Sequence, residues 1–534
     1  MTDSGMPNDL PRAPKRAEGV DESSASTAEL SAIDAEVAEA GPSRPSKPSK
    51  PSRAARKATR TARGIALASA RAAAGAVGIG VAVAAILTAG LVPLPSAEVE
   101  PAKVVVTPVP TAQQLVCAGS LLRLGNESGE DATTATSLGT ASRSYAATAG
   151  DVTTRTLESS VGDSTIVSVA PEPGETEPAL VSGSQSQVLS TSDFSGLAAV
   201  DCSAASTESW LVGGSTAVGR TTLITLANPS DVQSTVALGI YDEQGKMSAP
   251  GSTGIVVPAR GQRVLSLAGF APETTTPVIH VTSKGGQIVA NLQQSISRGL
   301  EPGGVDIVSA TALPATEQLI PGLDVVGASN LDQRLGTEGS SDIRTVLRLL
   351  LPGDAPAEAT ITVVAESAGA TESSFAIALE AGVVTDVPIE GLLDGRYTVS
   401  VSTPEPVVAG VRLSTASQAA TGIGVTDFAW LAAPAPISTP SVFTVANGPS
   451  PELTVTNPGS AALEVTFSEA GGTEQVLALE GGASVVVPVA GRTSYSLDPT
   501  APIVAAVGYT GDGKIAAYPV REPLSTSGRI TIYP

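Results

Sequence analysis

Hydrophobic and polar positions follow three different patterns along this chain. From residue 104 onward, short runs of Val, Ile, Leu and Thr alternate with clusters of Gly, Pro, Asn, Asp and Ser. The alternation in STVALGIYD (234–242) and YTVSVS (397–402) sends one set of side chains inward and the other outward, as half-buried antiparallel strands require. Helical spacing is not sustained anywhere in this part. Before it, Ala72–Val92 is continuously apolar, with no charge and a single hydroxyl, Thr88. At the helical rise such a stretch reaches roughly 30 Å, the hydrocarbon thickness of a bilayer. Residues 1–63 show neither pattern: they are acidic first, then basic and Pro-rich, with too little apolar surface for a core. That composition predicts a disordered segment.

The β part repeats itself. TTLITLANPSD, RTVLRLLLPGD and PELTVTNPGS open three successive units of similar strand order, and Asn228-Pro229, Leu351-Pro352 and Asn457-Pro458 mark the same early turn in each. This divides the outer chain into an irregular β domain at 104–205 and three sandwich repeats at 206–312, 313–418 and 428–534. The strand density is that of an immunoglobulin-like sandwich. Trp210-Leu211 and Trp430-Leu431 open two of the units, where a tryptophan serves as a core or inter-domain plug.

Charge sets the orientation. Arg44, Lys47, Lys50, Arg53, Arg56, Lys57, Arg60, Arg63 and Arg71 precede the apolar stretch, whereas Glu98 and Glu100 follow it. Cations stay on the cytoplasmic side, so a transmembrane signal-anchor over 64–94 places the N-terminus inside and the β region outside the plasma membrane. A cleaved signal peptide ending near Pro95-Ser96-Ala97 would need a charged leader far longer than ordinary ones. The basic stalk would lie against anionic headgroups. Small residues at Ala72, Ala76, Gly80 and Ala84 share one helix face and hint at self-association.

The whole chain carries a net charge of -21, but residues 1–71 hold 12 basic and 9 acidic side chains, leaving the rest at -24. So acidic an outer part argues against nucleic acid and polyanions as partners. Aromatics make up only 3%, so the core has to be built from Val, Leu, Ile and Ala. The two cysteines, Cys117 and Cys202, both lie on the outer side, where one disulfide is expected. Closing that loop stabilises the fold by about 4 kcal/mol in the chain-entropy model.

Catalytic signatures are missing. His280 is the one histidine, which removes the main parts of zinc-histidine and Ser-His-Asp chemistry. Gly162-Asp163-Ser164 resembles a serine-protease fragment, but Thr165 follows it and His280 would be the only base. Asp242-Glu243 reads as a hairpin turn. No cofactor, metal or catalytic residue is expected. The contact residues expected instead are Trp210, Gly213, Gly214, Gly219 and Arg220, where glycines allow close backbone approach.

Cys117, Cys202, the Trp210-x-x-Gly213-Gly214 stretch, Gly219-Arg220 and Asn228-Pro229 together resemble a family of actinobacterial cell-envelope proteins of unknown function. The resemblance implies one N-terminal membrane anchor, an all-β extracellular region, and genes often placed beside a large membrane glycosyltransferase. Structural scaffolding in the envelope, engaging a partner such as that glycosyltransferase, is the function expected. A cell-wall glycan-binding module is the alternative, and an envelope hydrolase stands behind both.

Overall fold

The computed structural model describes residues 75–84, 104–106, 111–125, 134–172, 174, 178–299, 301–336, 340–366, 372–418, 424–511, 513–523 and 530–532. The chain divides into two units, Met1–Val99 and Glu100–Pro534. In the first, residues 75–84 form a helix whose residues are all exposed. Ala76, Gly80 and Ala84 lie along one face of it, as a four-residue spacing dictates. Most of the expected anchor, Ala72 included, and the whole 1–63 segment lie outside the described residues. No helix among the described residues is long and apolar enough to cross a membrane.

The second unit is built from strands, as the period-two patterning requires, with one short helix, Ala328–Leu335, that corrects the expectation of no helical segment in this part. In residues 206–312 one sheet orders Glu208–Val212, Val278–Lys284 and Ser234–Asp242, with Gly245–Lys246 and Ile255–Val257 on the outer edge. The facing sheet orders Gln262–Ser266, Arg220–Ala227, Val289–Arg298 and Glu301–Val308. The C-terminal module repeats the arrangement: Ser441–Thr444, Ser494–Pro499, Leu463–Glu469 and Glu474–Leu479 face Ser484–Pro488, Pro451–Thr456, Val504–Gly511 and Lys514–Pro519. The middle module does so with one economy. Its 22-residue strand Gly395–Ala416 runs through both sheets, pairing with Ala357–Ala365 in its first half and Val346–Leu350 in its second.

This strand order differs from the immunoglobulin division into ABED and CFG, in which the first two strands share a sheet. Here Glu208–Val212 and Arg220–Ala227 lie in opposite sheets. A second difference concerns Thr426–Ala432. The sequence division starts a repeat at residue 428, yet this strand pairs with Gly395–Ala416 as the last strand of the middle module. Trp210 and Trp430 therefore occupy a first and a last strand, not equivalent places.

The repeated Asn-Pro has a structural cause. Asn228 is fully buried, and its amide donates to the carbonyls of Val232, Val257 and Pro258. Asn457 donates in the same way to Ala461, Leu479 and Glu480. Each side chain ties its own turn to carbonyls on either side of it.

The domain at 104–205 contributes the sheet Gln113–Cys117, Thr165–Val169, Val152–Thr156 and the sheet Ser142–Ala147, Val181–Ser190, Ser195–Asp201. The expected disulfide joins Cys117 to Cys202 across these two sheets, in a buried cluster with Val167. Val104–Val106 pairs antiparallel with Ile530–Ile532.

The modules interlock through their final strands, because alternate residues on each strand enter two different cores. Val305 and Ile307 pack with Leu121 and Val200 of the first domain. Phe428 and Trp430 join the core of the 206–312 module, while Ala429 and Leu431 stay in their own. Ile515 and Ala517 enter the middle module, and Ala516 and Tyr518 remain in the last. Leu197 and Ala199 of the first domain then enter the core of the last module, so the exchange closes into a cycle. At its centre Asp427 accepts the amides of Leu197 at 3.0 Å and Ile515 at 3.1 Å. Gly196 and Gly304 make room for it, since a Cβ on either would strike the Asp427 carboxylate.

Candidate functional site

The expected contact loop lies at the junction of the 206–312 module and the middle module. Gly213 (φ +152°) brings its backbone against the Trp430 ring, where an added Cβ would stand 3.1 Å from the indole. Gly214 (φ +88°) leaves space for Thr222 at a backbone geometry that favours glycine. Gly219 lies against the Ser297 carbonyl, which a Cβ would strike. The close approach that the glycines allow is thus to the chain itself. Trp210 is buried and stacks on His280 with ring centroids 4.1 Å apart, while His280 Nε2 lies 2.9 Å from Glu208. Trp210 and His280 are therefore packed away from the pocket described next.

Gly214 and Arg220 line a cavity of about 520 Å³ with Arg348, Arg412, Asp342, Asp386 and Trp430. Strand register explains the assembly. Arg348 pairs opposite Gly410, Arg412 opposite both Val346 and Trp430, which sets Arg348, Arg412 and Trp430 on one face of the sheet. Leu347, Leu349, Val411 and Leu431 project from the other face into the module's own core. Alternation along three neighbouring strands thus presents two arginines and an indole to the adjoining module.

The arginines play different parts. Arg348 is fully engaged: it grips Asp386 with two bonds of 2.8 and 2.9 Å, donates to the carbonyls of Gly214, Pro277 and Thr275, and sits 4.6 Å over the Trp430 ring. It clamps the two modules together. Asp342, on the short turn Ser341–Ile343, receives Arg220 at 2.7 Å and Arg298 at 2.7 Å. Arg412 stands 3.6 Å from the same carboxylate, beyond hydrogen-bond reach, and stacks 5.0 Å over Phe428. Its Nε and Nη2 are buried and have no hydrogen-bond partner among the described residues.

Electrostatics follow from this crowding. Burial alone would raise the Asp342 carboxyl, but Arg412 and Arg298 overcome it and hold the group at about 2. Burial pulls Arg412 down to about 10 against the opposing charge of Asp342, with Arg298 and Arg348 adding to the fall. Arg412 is still a cation at neutral pH. Arg220, Arg298 and Arg412 all approach the one Asp342 carboxylate. Glu243, held by the hydroxyls of Thr275 and Thr276, forms a negative rim near Arg348. The arrangement ties the two modules together through buried arginines.

Elsewhere, Ser164 is buried and donates to the Ala118 carbonyl at 2.7 Å, and Asp163 is tied to Ser120 and Arg143; the Gly162–Ser164 fragment is part of the framework. No group of three or more His, Cys, Asp or Glu side chains suited to a metal occurs among the described residues. Of the charged groups lining the cavity, sequence reasoning singles out Arg220 alone and misses Asp342, Arg348, Asp386 and Arg412, and it misses Arg298 behind Asp342 as well. The available signal is an arginine interrupting an apolar run, in TVLRLLL and VVAGVRL.

No curated protein matches the chain. A model of a family of unknown function, DUF5719, matches residues 156–490, which is well over half of the 534 residues and spans every residue of the pocket. The chain, with its interlocked sandwiches and buried arginines, belongs to that family.

Proposed function

We propose that this protein is a non-enzymatic scaffold of the actinobacterial cell envelope, anchored in the plasma membrane by a single pass near its N-terminus and holding its β unit outside. The observation that carries the reading is the cyclic exchange of final strands. Modules that share cores cannot swing independently, so the unit presents its surface as one rigid body, which suits spacing or holding a partner. A glycosyltransferase of envelope assembly is the partner this reading favours, and association of two anchors through Ala72, Ala76, Gly80 and Ala84 would pair two such bodies.

Glycan binding in the usual stacking mode is less well supported. It uses exposed aromatic rings, and Trp210, Trp430, Phe428, Tyr509 and Tyr518 are all buried. Protease added to intact protoplasts tests the placement: the β unit should be digested without lysis, and protection until lysis would overturn the reading. A photo-crosslinker at Val218, which is 85% exposed on the contact loop, should then capture a membrane protein of envelope assembly. Capture of wall polymer alone would favour the glycan reading over the scaffold.

A further inference from the structure

We propose that the strands Glu372–Leu379 and Glu474–Leu479 are docking edges for an extended, cation-bearing segment of another protein, which adds to each sheet as a further strand. The first observation is the open edge. Each strand ends its sheet and pairs on one side only, with Ala357–Ala365 and Leu463–Glu469 respectively. A strand in that place turns alternate amides and carbonyls away from its neighbour, ready for a second ladder. Proteins commonly close such ends with a lysine, a proline, a bulge or a covering element. Lys514–Pro519 is closed in this way, with a lysine and a proline of its own and with Ile515 and Ala517 buried in the middle module. ESSFAIAL and EQVLAL contain neither residue and run in unbroken register with their neighbours. They are exposed at every position but Ile377, Leu379, Leu477 and Leu479.

The second observation is that the arrangement occurs twice, with the same charge around it. Ala376 and Ala378 on one strand, and Val476 and Ala478 on the other, present an exposed apolar strip. Glu372 and Glu380 bracket the first strip and Glu474 and Glu480 the second, while Glu358 lies opposite Ala378 and Glu464 opposite Ala478. All six carboxylates are on exposed residues. The sequence has no lysine or arginine between Arg348 and Arg396 or between Arg412 and Arg492, so neither hairpin supplies its own counter-charge. Charge therefore selects the occupant. A second copy of this chain would bring glutamate against glutamate in either strand direction, which destabilises the pairing. A foreign strand with apolar residues at alternate positions and cations at its ends meets the glutamates instead.

The experiment uses the full chain in detergent and three synthetic peptides of alternating valine and threonine, eight residues long like the longer strand. One has lysine at both ends, one has glutamate at both ends, and one is lysine-ended with proline at its centre. Calorimetry follows binding, and hydrogen exchange read by mass spectrometry locates it. The lysine-ended peptide should bind saturably and slow amide exchange in 372–379 and 474–479. The other two should bind at least tenfold more weakly, one because like charges meet and one because proline cuts the ladder. A chain carrying Glu372→Lys and Glu380→Lys should lose the lysine-ended peptide at 372–379, keep it at 474–479, and accept the glutamate-ended peptide at the first edge. Both positions are exposed, so its unfolding temperature should stay that of the wild type. Glu372→Gln with Glu380→Gln, which removes charge without reversing it, should weaken the lysine-ended peptide several-fold at that edge.

No saturable binding of the lysine-ended peptide at millimolar concentration overturns the proposal. So does equal binding of the proline-centred peptide, which would mean attraction of charge without strand addition. Slow exchange at both edges before any peptide is added would mean that they are already covered. If that slowing grows with protein concentration the cover is a second copy, and if it does not the cover is another segment of this chain; either result contradicts the proposal. The edges can bind on whichever side of the membrane the β unit lies, so this test and the protoplast test fail separately.

Discussion

Asp427 offers the sharpest test of how the modules are joined. Its carboxylate is fully buried at the centre of the cycle and accepts amides from Leu197 and Ile515, strands of two other modules. Burial dominates over those bonds and raises its pKa to about 7. An unfolded aspartate titrates near ~3.9. The folded chain therefore holds a proton that the unfolded chain has released, so this contribution to stability is fully present below about pH 4 and is lost as pH rises through about 7. At ~1.4 kcal/mol per pH unit the loss is about 4 kcal/mol. Asp306, buried beside it and also raised, acts in the same direction. Urea unfolding of the wild type and of Asp427→Asn, measured from pH 4.5 to 8.5, isolates the effect. The variant should show a flatter pH dependence whatever its absolute stability, since the asparagine amide opposes one of the backbone donors. Equal slopes in the two proteins would refute the reasoning.

Other expected outcomes follow the same logic. Reducing Cys117–Cys202, or replacing either by Ser, should cost about 4 kcal/mol in urea unfolding by the loop-entropy estimate. Asn228→Ala and Asn457→Ala should each cost ~1–3 kcal/mol, because the buried carbonyls of Val257 and Leu479 lose an amide donor; a loss below ~1 kcal/mol in calorimetry would show that water replaces the amide. Leu197→Ala should cost ~2–5 kcal/mol, and it should loosen the first domain from the last module, seen as faster hydrogen exchange in both.

The all-β character and the disulfide are legible in the sequence because each rests on local or countable features, period-two alternation in one case and two cysteines in the other. The Asn-Pro repeat is visible too, but its reason is not: Asn228 reaches Val257 and Pro258, some thirty positions away. The strand exchange is hidden by its own regularity. Phe428, Ala429, Trp430 and Leu431 read as one uniformly apolar strand, and nothing local says that Phe428 and Trp430 enter another module's core. Taking Trp430 as the start of a repeat follows from that. The arginine cluster around Asp342 is harder still, since Arg220, Arg298, Asp342, Arg348 and Arg412 come from four strands and a turn. The acidity of the outer chain, read as an average, hides the four arginines that folding gathers between two modules.

Closure of the module cycle is the claim on which the rest stands, and one cross-link tests it. Ser182 of the first domain and Thr444 of the last module bring their hydroxyl oxygens to 2.6 Å. In a chain carrying Ser182→Cys and Thr444→Cys, mild oxidation should yield a second intrachain disulfide beside Cys117–Cys202, identified by mass spectrometry of the unreduced digest. Recovery of residues 182 and 444 as free thiols, with Cys117–Cys202 formed, would mean that the modules run as an open string.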